Sequence, residues 1–248
     1  MLTHALIWAG LILIYPKSRQ IQAMFFWNPK MRKFFGLGYV GLALTWIPFL
    51  RSKLFAPFKE SLQSDADLAN FNPQDYFADS EVKLKSAKEA QPVKAVLPEI
   101  RGQIVLEGES GLGKSMFLRH LVQSSRRIAV YLPAKKCDKG VMEAIQAKLH
   151  GPANDPDFLQ NLIYSGAIDI CIDGLNEVTP DTRAKITSFV ERYFKGNMIM
   201  ATQPLEANLP STTKTYRLQP LKREQVEQFL VSRQTILPSD ALVSGSKY

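Results

Sequence analysis

A mostly parallel β-sheet flanked by helices is the architecture this chain predicts. Short apolar runs alternate with amphipathic helical stretches, the first of these runs breaks into a glycine loop at a helix start, and a later one ends in an aspartate. Alternation of this kind is the pattern of parallel strands joined by crossover helices. With 248 residues, 46% of them hydrophobic and 22% charged, the chain can bury one such domain with residues to spare.

The spare residues lie at the front. Of the net charge of +8, residues 1–60 contribute +7, with eight Lys or Arg set against Glu60 alone. The rest is nearly neutral, so no direct contact with nucleic acid is expected of the domain itself. Cys137 and Cys171 are the only cysteines, and Cys171 sits in an apolar run, which excludes a disulfide framework and a cysteine-based zinc site.

Residues 5–15 and 34–50 are apolar almost throughout and predict a hydrophobic helical hairpin ahead of the sheet. As a helix the second segment would span roughly 25 Å, short for a bilayer. Trp8, Tyr15, Trp27 and Trp46 suit interfacial belts. No positive n-region or small-residue cleavage site marks a signal peptide. Two full spans would place residues 16–33, with five positive charges and no acid, outside the cell, against the positive-inside rule. An interfacial or re-entrant hairpin on the anionic leaflet satisfies the charges better. The expectation is membrane attachment through residues 1–55 with the remaining domain in the cytoplasm. Residues 56–97, punctuated by Pro57, Pro73 and Pro92, read as a polar connector with short helices.

Residues 98–218 hold the core, with five strands expected. Ile104 to Leu106 reads as a buried strand. Gly108-Glu109-Ser110-Gly111-Leu112-Gly113-Lys114-Ser115 then fits G-x-x-x-x-G-K-[ST]. Phe117, Leu118, Leu121 and Val122 follow at helical spacing, so the loop is strand–turn–helix. Backbone N–H groups of a glycine turn at a helix N-terminus form an anion nest. In that chemistry Lys114 meets the β and γ phosphates of a nucleotide and Ser115 ligates Mg²⁺.

Ile128 to Leu132 reads as a second strand. A helix with Val141, Met142, Ile145 and Leu149 on one face follows, and Asp155-Pro156 caps another carrying Phe158, Leu159, Leu162 and Ile163. The run Ile168 to Ile172 delivers Asp173 at its carboxyl end, where ligands bind in open α/β sheets. Asp173 is therefore the second candidate Mg²⁺ ligand, and Glu177 is placed to orient or deprotonate an attacking water. Thr179-Pro180 caps a helix with Ile186, Phe189 and Val190. The strand Met198 to Ala201 ends in Thr202, which either senses the γ-phosphate or belongs to a turn. Thr215 to Leu218 is the last strand, and residues 219–248 open a helical stretch with Val226, Phe229 and Leu230.

Gly108 to Ser115, the Asp173-Gly-Leu-x-Glu177 core, the Met198 to Pro204 strand end and the Leu218 to Leu230 tail together resemble a NACHT domain, a member of the STAND class of signalling P-loop NTPases. Gly174, the small residue directly after the aspartate, is the most discriminating match. The resemblance covers about residues 97–233 and implies a P-loop fold and an ATP/ADP-gated switch. ADP would hold a closed monomer, and ATP with Mg²⁺ would open it to self-associate and activate an effector. It implies slow hydrolysis, with Lys114 and Glu177 as catalytic residues and Ser115 and Asp173 on the metal. Asn176 stands where the family usually has a second acid, and Gln203 where an arginine often closes the strand. Both departures leave a non-hydrolysing nucleotide-binding scaffold as an alternative. An energy-converting ATPase of the AAA type is the other, although no arginine finger is identifiable. The family usually continues into a winged-helix domain, so the expectation is a truncated form. ATP over GTP follows from the resemblance, and no Asn-Lys-x-Asp guanine motif occurs.

Overall fold

The computed structural model describes residues 2–14, 47–72, 80–87, 89–205 and 209–227. Helix α1 spans Leu2–Ile14, followed after residue 46 by α2, Pro48–Phe55, and α3, Lys59–Gln63. Next come β1, Glu81–Leu84, β2, Gln91–Pro92, α4, Val93–Val96, β3, Gln103–Glu107, and α5, Lys114–Ser124. The chain continues with β4, Ile128–Pro133, α6, Val141–Gln146, α7, Pro156–Tyr164, and β5, Ile168–Asp173. Helix α8, Pro180–Arg192, β6, Asn197–Thr202, and β7, Lys214–Leu218, complete the named elements.

All seven strands form one sheet in the order β2-β1-β7-β3-β6-β5-β4. The pairs β3–β7, β3–β6, β6–β5 and β5–β4 are parallel, and β1 runs antiparallel to both β7 and β2. The sheet thus has seven strands where five were expected. The five expected strands are the parallel ones, and the two added come from the stretch read as a connector. Proline at β2 suits an edge, where its missing N–H breaks no ladder.

Side chains alternate between the faces because strand residues point to opposite sides. Val105, Val130, Leu132, Ile170, Ile172 and Met200 face a core built with α6, α7 and α8. Ile104, Leu106, Ala129, Tyr131, Cys171, Ile199 and Ala201 face the other, which α5 covers with Phe117, Leu118, Leu121 and Val122. Both faces are covered, which is why the inner parallel strands are near-continuously apolar.

The segment from α2 to Ala66 is part of this core. Leu54, Phe55, Phe58 and Leu62 join the first cluster, and α3 packs along β4, the strand at the sheet's edge. Asp65 anchors it, pairing with Lys136 Nζ at 2.6 Å and Lys148 Nζ at 2.8 Å. Covering the edge in this way removes a template for strand addition.

The expected hydrophobic hairpin falls largely on residues 15–46, outside the described residues. Among the described residues no helix is long and apolar enough to cross a membrane. Phe229 and Leu230 also lie outside them.

Candidate functional site

The carboxyl ends of β3, β5 and β6 converge, with β6 hydrogen-bonded between the other two. The loop leaving β3 turns sharply into α5. Gly111 has φ +80° and Gly113, which caps the helix, has φ +86°; a side chain there is strained by its own Cβ. The turn lets α5 start immediately at Lys114, with Phe117 N donating to Gly113 O at 2.9 Å.

Lys114 folds back over its own loop, and its Nζ donates to Gly108 O at 2.8 Å and Glu109 O at 2.7 Å. Burial pushes the Lys114 ammonium below the usual lysine range, while the charges of Asp173 and Glu109 pull the other way. Ser115 is exposed in the first turn of α5.

On the β5 side, the chain turns at Gly174, φ +80°, into a short helical turn over Leu175–Glu177. Glu177 N donates to Gly174 O at 2.9 Å and closes the turn. A Cβ at position 174 would stand 3.1 Å from Glu177 Cδ, so glycine suits the backbone there and lets the carboxylate sit where it does. Arg183 of α8 holds the turn from outside, its Nε donating to Leu175 O and its Nη2 to Val178 O, each at 3.3 Å. Asn176 Oδ1 accepts from Gln203 N at 3.0 Å, tying the end of β5 to the end of β6.

These parts enclose one cavity of about 310 Å³, at the small end of ligand-site volumes. Ser110, Gly111, Gly113, Lys114, Ser115, Asp173 and Glu177 line it, together with Asn176 and Gln203. Gly108, Glu109 and Leu112 build the loop without lining the cavity. Thr202 does not reach it: its side chain is fully buried and its hydroxyl donates to Gln203 O at 2.8 Å. The next residue, Gln203, lines the cavity instead.

Asp173 engages Tyr131 Oη at 2.5 Å through Oδ2, leaving Oδ1 without a hydrogen bond among the described residues. Among these residues no cluster of three or more His, Cys, Asp or Glu is arranged for a metal. A hard cation such as Mg²⁺ requires only one or two carboxylates, with water and ligand oxygens completing its shell. Asp173 and Ser115, both lining the cavity, have the right donor chemistry.

Sequence reasoning missed Tyr131 and the Asn176–Gln203 link. Tyr131 sat in a run read as plain apolar strand. Its signal is register: Tyr131 pairs with Cys171, so Asp173, two residues along, is on the same face. Comparison of the chain with known protein families and with curated proteins gives no match.

Proposed function

We propose that this chain is a P-loop NTPase that binds ATP or ADP with Mg²⁺ and acts as a slowly hydrolysing, membrane-attached signalling switch of the NACHT/STAND type. The observation that supports it best is that Lys114, Ser115, Asp173 and Glu177, from two separate stretches of sequence, line one cavity. In this reading the N–H groups of the 108–115 loop cradle phosphates. Lys114 exchanges its loop carbonyls for phosphate oxygens. Ser115 and Asp173 hold Mg²⁺, which neutralises charge on the transferring group. Glu177 orients the attacking water and accepts its proton, and Gly174 keeps that carboxylate close to the strand end.

A non-hydrolysing scaffold is the second reading, favoured by one contact. Asn176, which replaces an acid, accepts a hydrogen bond from Gln203 N, so these two wall positions serve as a structural tie.

Attachment to the membrane through residues 1–55 is part of the proposal. Helix α1 leaves Leu6, Ile7, Leu13 and Ile14 exposed and packs beside α2. Thirteen residues of helix measure about 20 Å, against roughly 30 Å of hydrocarbon. An interfacial helix followed by the basic 16–33 stretch on an anionic leaflet therefore fits better than a span. Self-association on ATP binding completes the proposal.

Nucleotide turnover with Mg²⁺ on the full chain in detergent, with the bound nucleotide identified after denaturation, tests the central claim. Lys114→Ala should abolish binding. Glu177→Gln should keep binding and lower turnover by about 10²–10⁴-fold. Wild-type protein that binds ATP but never hydrolyses it selects the scaffold; absence of binding refutes both readings.

A further inference from the structure

Behind the cavity three side chains from three elements meet. Tyr131 comes from β4, Asp173 from the end of β5 and Arg119 from α5. Tyr131 is only 3% exposed. Its hydroxyl donates to Asp173 Oδ2, and the Arg119 charge acts on the same phenol from α5. The phenol O–H is the donor in this pair, since the carboxylate can only accept. Arg119 lies four residues beyond Ser115 on one helix, which places both on the same side of α5.

A buried phenol needs one acceptor, and many backbone carbonyls would serve. Here the acceptor is the one aspartate on the cavity wall. The consequence is geometric: with Oδ2 engaged by Tyr131, the carboxylate keeps one oxygen, Oδ1, without a hydrogen bond among the described residues.

We propose that Tyr131 is a positioning residue that fixes how Asp173 meets a divalent cation, restricting it to contact through one oxygen, directly or through water, and thereby selecting Mg²⁺ over Ca²⁺. This role rests on the Mg²⁺–nucleotide reading above. Mg²⁺ keeps several waters in a strict octahedron and takes carboxylates one oxygen at a time, whereas Ca²⁺ accepts bidentate carboxylates in looser shells. Partners that orient a metal-binding carboxylate are worth about 10–100-fold in metal affinity. The positive charge of Arg119 favours the same arrangement electrostatically from the helix.

The test measures binding of a fluorescent ADP analogue to the full chain in detergent, titrated with Mg²⁺ and separately with Ca²⁺, beside Tyr131→Phe. The variant should raise the Mg²⁺ concentration for half-maximal binding about 10–100-fold and narrow the gap between Mg²⁺ and Ca²⁺. Affinity for the analogue in EDTA should stay at the wild-type value, which a general structural defect would not allow. An unchanged Mg²⁺ midpoint, or an equal loss of affinity with and without metal, overturns the role of Tyr131 while leaving the nucleotide site standing. Wild-type binding that ignores Mg²⁺ overturns the metal reading and this role with it. If Tyr131→Phe does not fold, Arg119→Gln should move the Mg²⁺ midpoint in the same direction by less, and no movement there overturns the proposal.

Discussion

Replacing Gly174 by alanine separates backbone strain from site geometry. At φ +80° an L-residue costs about 1–2 kcal/mol relative to glycine. For a chain of this size that corresponds to a fall in melting temperature of about 2–8 °C. The new Cβ would also lie 3.1 Å from Glu177 Cδ and Oε2. This second effect is cheap in stability, because the carboxylate ends a flexible side chain and can swing aside. It is expensive in geometry, since displacing a catalytic group by 1 Å can cost on the order of 10²-fold in rate. Gly174→Asn divides the two: asparagine tolerates the left-handed region far better, yet its Cβ meets the same carboxylate. Thermal melting and Mg²⁺-dependent ATP turnover should show the highest melting temperature for wild type, an intermediate one for Gly174→Asn and the lowest for Gly174→Ala, with both variants similarly slow. A Gly174→Ala protein that melts within about 1 °C of wild type refutes the backbone argument. One that melts early but turns over normally refutes the placement of Glu177.

Three further outcomes follow from other parts of the molecule. Asp65→Ala should cost less in urea unfolding than the roughly 3–5 kcal/mol of a fully buried pair, because Lys136 is 55% exposed although Lys148 is only 12%. Burial pushes the Asp65 carboxyl up, but Lys136 and Lys148 more than offset that and leave it below the usual aspartate range. Its stabilisation is therefore full above the unfolded-state pKa, and the gap between wild type and variant should close as pH falls through the folded one. For Lys114, lowered by burial, the signs oppose each other. The nucleotide-free protein should gain stability relative to Lys114→Met as pH rises from the lowered pKa toward that of free lysine. ADP affinity should fall over that same window, and affinity constant up to the ordinary lysine pKa would contradict the desolvated ammonium. Ile7→Asp with Leu13→Asp should abolish flotation with anionic vesicles, since both residues are exposed on α1; undiminished flotation would remove α1 from the membrane contact.

What the sequence made legible was whatever depends on neighbours in the chain. The cap at Asp155, whose side chain accepts from Phe158 N at 2.9 Å, and the cap at Thr179, which accepts from Thr182 N at 3.3 Å, follow from local hydrogen-bonding chemistry. The parallel strands follow from unbroken apolar runs. β1 was not legible because only Val82 of its four residues is buried, and its place is set by pairing with β7, more than a hundred residues on. The apolar residues from Leu54 to Leu62 were masked by Pro57, which sits in a short 3-10 turn between two helices and bends the segment around the edge of the sheet. Within the site, glycine turns and strand-end carboxylates announced themselves by spacing. The Tyr131 hydroxyl did not, because its partner is fixed by the register between two strands.

The two ends of the sheet use polar groups differently, and that contrast bears on where function lies. At the amino end, Asp169 is buried among Arg127 Nη1 at 2.8 Å, Ser125 Oγ at 2.9 Å and Asn197 Nδ2 at 3.3 Å. Asn197 also donates to Gly166 O and accepts from Gly102 N, while the Gln103 amide donates to Val190 O and Tyr193 O. Each of these groups is satisfied by another part of the fold, so the network fastens strands, loops and helix ends together. At the carboxyl end the polar groups face a cavity. Among the described residues Lys114 Nζ bonds two carbonyls of its own loop, and Asp173 is held by Tyr131 through one oxygen. An anion that reaches Lys114 competes with two carbonyls that the loop can release without unfolding anything else. A cavity at the amino end is also lined by Arg127 and Asp169, but there the two charges pair with each other. An ammonium, a hydroxyl and two carboxylates converge on the cavity at the carboxyl end, and this contrast favours the second end for the proposed charged ligand.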